Sequence, residues 1–312
     1  MADTMILHHY ESSPYAEKIR LMFGFTNSKW CSLIAPAWPP RPSVDPLSGG
    51  YRRIPIAQLG ADIFCDSSLI AREIAGATKQ ASLDPAGVTG PALELMQRAE
   101  GDGFFSAITS LPAHKLLGTM LRNFGPLGAY RFVKDRKDLL KGGTSRPKAA
   151  GDARAVMRDL FATLDSLLKA QPWVGGDSPS VADFAVYHPI WLHLRCHGNL
   201  PSTAKYVHRW YRELGEFGHG QRHEITQAEA FEQARSAAPR NLPTNQEPGD
   251  LSIGEVVTVQ PEDYGLVAVS GSLAAITTDR IILARETKAF GILHVHFPRS
   301  GYALNSVNSA KG

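Results

Sequence analysis

The sequence predicts a three-part chain: an α/β unit, then an all-helical domain, then a small all-β module. Three observations predict it. Residues 5–79 read as strand, helix, strand, followed by strand, strand, helix. Residues 91–235 carry helix-length amphipathic segments without strand signals, and from residue 251 onward β-branched runs alternate with turn residues. The length agrees, because 312 residues exceed what one hydrophobic core organises.

In the first part, Met5 to His9 is a short apolar-to-polar run that reads as a strand. Pro14 at a first helical position opens a helix over Tyr15 to Phe25, since the missing N–H of proline is one that a helix start leaves unpaired anyway. Trp30 to Ile34 is the second strand, and Pro36 to Gly50 is a loop dense in Pro and Gly. Ile56 to Leu59 and Ile63 to Cys65 are two short strands joined by a turn around Gly60 to Asp62, and Ser67 opens a helix to about Lys79. A βαβ unit followed by ββα is the order of the thioredoxin type, so the first domain is expected over residues 1–83, with Asp84 to Gly90 as the connector.

The all-helical domain is expected over residues 91–238, as roughly five to seven helices. Its breaks fall at Pro112, Gly125-Pro126, Gly142-Gly143, Gly175-Gly176 and Pro201. Ala238 to Asp250, rich in Pro, Asn and Gly, is a linker. Over residues 251–312 the strand candidates are Glu255 to Gln260, Leu266 to Val269, Leu273 to Thr277, Arg280 to Ala284 and Ile292 to Phe297. Turns at Pro261 to Gly265, Ser270 to Ser272 and Thr287 to Gly291 separate them, which suits a small barrel or sheet.

Composition narrows the function. Apolar residues at 43% and charged residues at 20% are ordinary for a globular chain and argue against disorder. A net charge of +3 with scattered basic residues does not favour nucleic acid; the one basic stretch, Arg122 to Lys148, reads as a solvated helix face and loop. Cys31, Cys65 and Cys196 stand far apart, without disulfide or zinc spacing, which fits a reducing compartment. No signal-peptide pattern and no apolar run of membrane-spanning length is present, so a cytoplasmic location is expected.

Three clusters could carry chemistry. Glu11-Ser12-Ser13-Pro14-Tyr15 places a hydroxyl at a helix start, where Ser13 either caps the helix or holds an anionic ligand that the helix dipole favours. Arg53-Ile54-Pro55-Ile56 precedes the third strand, and Asp66-Ser67 opens the next helix, where free N–H groups and a hydroxyl can grip a carboxylate and Asp66 an ammonium. Capping and an ordinary strand-entry proline are the competing structural readings. In the helical domain, Trp173-Val174-Gly175-Gly176 precedes Ser180-Val181-Ala182-Asp183-Phe184, in which Ser180 and Asp183 have capping-box spacing and a folding role.

In order and spacing these clusters resemble the glutathione-transferase superfamily, over roughly Met5 to Arg235. The resemblance implies that Ser13 activates the glutathione thiol, that the Ile54-Pro55 bond is cis and Ile54 pairs with the cysteinyl backbone, and that Asp66 and Ser67 hold the γ-glutamyl end. It further implies that Arg53 meets the glycyl carboxylate. Tyr10, at the end of the first strand, is a rival activator because the tyrosine-type classes place theirs there. The absence of Cys at position 13 disfavours thiol exchange.

The implied function is conjugation of glutathione to a small hydrophobic electrophile by a cytoplasmic homodimer, with isomerase or dehalogenase chemistry as variants. The alternative is a non-catalytic binding or scaffold protein that uses its β module for a partner. Phe104, Phe105, Leu111 and Trp191 are the expected pocket residues. No metal is expected. His219 with His223, and His294 with His296, have ligand-like spacing but no evident third donor in the sequence.

Overall fold

The computed structural model describes residues 4–247 and 251–307. Residues 1–3 and 308–312 of the expected terminal domains, and 248–250 of the expected linker, lie outside the described residues. The first part follows the predicted order: β1 (Ile6–His9), α1 (Pro14–Phe25), β2 (Lys29–Ile34), a one-turn α2 (Asp45–Ser48), β3 (Ile56–Leu59), β4 (Asp62–Cys65) and α3 (Ser67–Thr78). Strand β1 lies between β2, its parallel partner, and β3, its antiparallel one. Pro14 starts α1, and the Ser13 side chain caps it by accepting from the Ala16 amide.

Helices follow: α4 (Gly90–Arg98), α5 (Phe104–Thr109), α6 (Ala113–Leu140), α7 (Ala150–Ala170), α8 (Val181–Arg195) and α9 (Lys205–Glu216). The expected break at Gly125-Pro126 is a kink inside α6, where Gly125 takes φ +67°, a left-handed conformation that suits glycine. At the start of α8 the capping box is present. Asp183 is fully buried and accepts from the amides of Val174 at 2.7 Å and Ser180 at 2.9 Å and from the Trp210 indole at 2.8 Å. That network locks the end of the Trp173–Gly176 turn to α8 and α9. No described helix is long and apolar enough to cross a membrane.

The expectation of no strand between residues 91 and 235 needs correction. Strand β5 (Gln221–Glu224) pairs in parallel with β2, followed by α10 (Gln227–Ser236). Its sequence is wholly polar, so it has no apolar alternation to signal it; it is placed by β2, whose Trp30 indole donates to the His219 carbonyl at 2.7 Å.

The C-terminal strands are β6 (Val256–Pro261), β7 (Val269–Ile276), β8 (Arg280–Thr287), β9 (Gly291–Pro298) and β10 (Tyr302–Ser306). The expected turn at Ser270 to Ser272 is strand interior: β7 runs through it, paired on both sides, with its register shift between Leu273 and Ala275. A side chain at Gly271 would come within 3.0 Å of the Ala284 carbonyl and 3.1 Å of Leu283, so glycine serves close strand approach there. Strand β10 lies beyond the predicted strands. Nor do these strands form a separate sheet. β9 pairs in parallel with β4, giving one ten-stranded sheet in the order β10-β6-β7-β8-β9-β4-β3-β1-β2-β5.

The packing follows this continuity. One core joins α1, α3 and the helices, with Trp30, Phe184 and Trp210 fully buried. A second core unites Ile56, Ile63 and Cys65 of β3 and β4 with Val257, Leu273, Ile281 and Phe297 of the C-terminal strands. At its margin, Asp279 in the β7–β8 turn forms ion pairs with Arg72 of α3 and with Arg280. Burial pushes the Asp279 carboxyl up, but the Thr277 hydroxyl and the two guanidiniums outweigh it and lower its pKa to about 2.

A carboxyl depressed in the folded state contributes stability above its unfolded value, near 3.9, and loses it as pH falls toward the folded value. Asp279→Asn is therefore expected to lower stability by about 1 kcal/mol at neutral pH, allowing for solvent screening. In urea titrations the gap to wild type should be constant above pH ~5 and close between pH ~4 and ~2. A gap that does not change with pH would remove the ion-pair account.

Candidate functional site

Three chain segments that lie apart in sequence meet beside β1: the N-terminus of α1, the 52–55 segment before β3, and the N-terminus of α3. A cleft of about 410 Å³ opens there. Tyr10, Ser13, Arg53 and Ile54 line one side, and Phe104, Phe105 and Trp191 of α5 and α8 line the other. Leu111 does not line it; the chain turns away after α5, and Ile108, Leu116 and Met120 supply the aliphatic lining instead. Pro55, Asp66 and Ser67 are also outside the lining.

Ser13 is 1% exposed at the cleft floor. Its Oγ accepts from the Ala16 amide at 3.2 Å, which leaves the hydroxyl proton free to donate to a ligand. The capping and ligand-holding roles that compete in the sequence are thus compatible in one side chain. The Ile54-Pro55 peptide bond is cis. Among the described residues, neither the amide nor the carbonyl of Ile54 is tied up in a backbone hydrogen bond, so both can receive an extended peptide.

At α3 the capping residue is Asp66, one position before Ser67. Asp66 takes φ +81°, unusual for a residue with a side chain, and is held there by its own bonds: Oδ1 accepts from the Ser68 amide at 2.9 Å and the Ser68 hydroxyl at 2.8 Å. Oδ2 accepts from the Tyr302 hydroxyl at 3.0 Å and faces the Arg53 guanidinium at 3.6 Å. Burial pushes the Asp66 carboxyl up, but Arg53 and Ser68 outweigh it and keep its pKa below the ordinary value.

Arg53 is the hub of this side. It donates to the Asp263 carboxylate and, at 2.7 Å, to the Tyr264 carbonyl, with its guanidinium 4.0 Å from the centre of the Tyr264 ring. Burial works against its charge, yet the surrounding tyrosines and Asp66 hold its pKa above the usual arginine value. Tyr264 lines the cleft and meets Phe105 edge-on at 5.9 Å.

Asp263 and Tyr264 of the β6–β7 connection and Tyr302 of β10 are site residues that sequence reasoning missed. Asp263 and Tyr264 lie in a segment legible only as a turn. Of the histidine pairs, His219 interacts with Glu17, and His294 with His296 gains in Asp62 the third donor that the sequence does not reveal.

Two family models match the chain: the N-terminal domain of glutathione S-transferase over residues 7–81 and its C-terminal domain over residues 132–213. Among solved structures, a GST-like protein from Pseudomonas syringae is 30% identical, with 97% of this chain and 99% of that chain covered and a TM-score of 0.73. Gtt2 from Saccharomyces cerevisiae is 16% identical, with 68% of this chain and 96% of that chain covered and a TM-score of 0.45. The glutathione transferase BmGSTD1 of Bombyx mori is 15% identical, with 69% of this chain and 88% of that chain covered and a TM-score of 0.43. No curated protein matches the chain. The paired domain matches, and a relative aligned over nearly the whole length, agree with the thioredoxin-like and helical parts built above: this chain belongs to the glutathione S-transferase superfamily.

Proposed function

We propose that the protein is a glutathione transferase that joins the glutathione thiol to a small apolar electrophile, working as a cytoplasmic homodimer. The observation that carries this reading is the convergence on one cleft of the Ser13 hydroxyl, the Ile54 backbone, without a backbone hydrogen bond among the described residues, and an aromatic wall. Glutathione's cysteinyl backbone would pair with Ile54, which brings its sulfur toward the α1 N-terminus. There Ser13 donates to the thiolate and the helix dipole favours the negative charge.

A free thiol of this kind titrates near 8.5, and each unit of lowering requires about 1.4 kcal/mol. One hydrogen bond to a charged sulfur, worth about 1.5–3 kcal/mol, lowers the pKa by about one to two units. The thiol proton leaves to solvent, the sulfur lone pair forms the new C–S bond, and the electrophile's leaving group departs with its bonding electrons. Phe104, Phe105 and Trp191 would hold the electrophile against the sulfur.

A second reading, a glutathione-transferase-like binding or scaffold protein, is favoured by a specific observation: Arg53 and Asp66 are already satisfied by Asp263, Tyr264 and Tyr302. The two readings separate at Ser13. With glutathione bound, thiolate absorbance in Ser13→Ala should shift back toward pH ~8.5, and conjugation of an aromatic halide should fall about 10–100-fold. Ser13→Thr, which keeps hydroxyl and cap, should retain most activity and separates chemistry from the cap's stability contribution of about 1 kcal/mol. If Tyr10→Phe alone moves the titration, Tyr10 is the activator; if wild type binds glutathione without lowering its thiol pKa, the binding-protein reading stands.

Because Asp263 presents a carboxylate to the arginine proposed to meet a carboxylate of glutathione, the two compete. Asp263→Asn is expected to tighten glutathione binding about fivefold, equivalent to about 1 kcal/mol, in a calorimetric titration. Unchanged or weaker binding would mean that glutathione does not use Arg53.

A further inference from the structure

We infer that Asp62, His294 and His296 form a binding site for a divalent transition-metal ion, zinc above all, on the seam between β4 and β9. The site is independent of glutathione chemistry. In the parallel register Asp62 pairs with His294 and Phe64 with His296, and residues two apart on a strand share a face, so both imidazoles rise on the same side of β9 beside the Asp62 carboxylate. One ligand atom from each residue lies within 4.8 Å of the other two. His296 Nε2 is 2.7 Å and His294 Nδ1 3.9 Å from Asp62 Oδ1.

Zinc bonds of about 2.0–2.2 Å in tetrahedral geometry set neighbouring donors roughly 3.3 Å apart. The two Asp62–histidine separations bracket that value, and the third pair of donors lies within 4.8 Å, so modest side-chain rotations would bring the three donors to tetrahedral spacing. Two imidazoles and a carboxylate are a borderline donor set that suits zinc over calcium or magnesium.

Two further observations point to a ligand. His294 Nδ1 is buried and has no hydrogen-bond partner among the described residues, although it lies on the Asp62 side. The carboxylate is already oriented as a metal ligand's outer contacts require: Asp62 Oδ2 accepts from the Arg240 amide at 2.9 Å.

Arg240 and Arg280 stand nearby, but both are ion-paired with Glu73, at 3.0 and 2.8 Å. Arg280 is also paired with Asp279 at 3.1 Å, and Arg240 also faces Asp62 Oδ2 at 3.7 Å. Three protein donors leave the fourth tetrahedral position to water or a small anion. A cleft of about 320 Å³, lined by both histidines, both arginines and Asn241, provides that position. The ion would therefore fasten the C-terminal strands to β4 while keeping one coordination position open to a small anion.

The test is titration of the full-length chelator-treated protein with Co²⁺, whose tetrahedral complexes absorb in the visible, and with Zn²⁺ in a calorimeter. One ion per chain, visible cobalt bands displaced by zinc, and a thermal midpoint raised by several degrees are expected. His294 is partly accessible, so His294→Gln should fold, as circular dichroism would check, yet weaken binding at least about 100-fold; His219→Gln should not. Absence of cobalt bands, or zinc binding that survives both His294→Gln and Asp62→Asn, would overturn the site.

Discussion

The pairing of β9 with β4 is the constraint on which the rest of the molecule depends. Without it β4 is the open edge of the thioredoxin-like sheet, with unpaired amides and carbonyls available to any strand. With it the His294 amide donates to the Ala61 carbonyl at 3.0 Å, the Phe64 and His296 rings meet at 4.6 Å, and Asp62 is enclosed by His296 and Arg240. The edge is closed by the chain's own C-terminal strands, which then share a core with β3 and β4.

That single junction determines what reaches the cleft. Anchored through β9, the antiparallel strands place Tyr302 at Asp66 and the β6–β7 connection at Arg53. The connection is also held from the helical domain, where Gly265 donates to the Leu139 carbonyl at 2.7 Å and Ser145 to the Asp263 carbonyl at 3.0 Å. An unpaired guanidinium buried as Arg53 is would cost several kcal/mol, so a carboxylate partner is a structural necessity there. A bound peptide carboxylate would replace one such partner with another, and the exchange of like for like keeps its net cost small. In the proposed function, the same contact would stabilise the empty protein and tune the affinity of the filled one.

Local signals were legible where local physics decides the structure. The βαβ-ββα order, Pro14 at a helix start, the Ser180–Asp183 box and the Gly125-Pro126 kink all depend on residues within a few positions of one another. Strand β5 was not legible, because a polar Gln-Arg-His-Glu segment becomes a strand only when β2 offers its edge. Ser270 to Ser272 reads as a turn by composition, yet pairing on both sides and close packing at Gly271 make it a strand. In both cases tertiary context overrode propensity.

The site divides the same way. Ser13, Tyr10, Arg53 and Ile54 sit on elements whose order a sequence displays, and they share the cleft. Asp263 meets Arg53 across 210 residues and Asp62 meets His296 across 234, separations that no spacing rule spans. A strand places side chains on one face every second residue, so His294 and His296 announce two donors. Which carboxylate completes the set is decided by the register of β9 against β4, and a slip of one residue there would turn both imidazoles to the opposite face. The register that closes the sheet edge is therefore the same one that brings Asp62 beside both imidazoles.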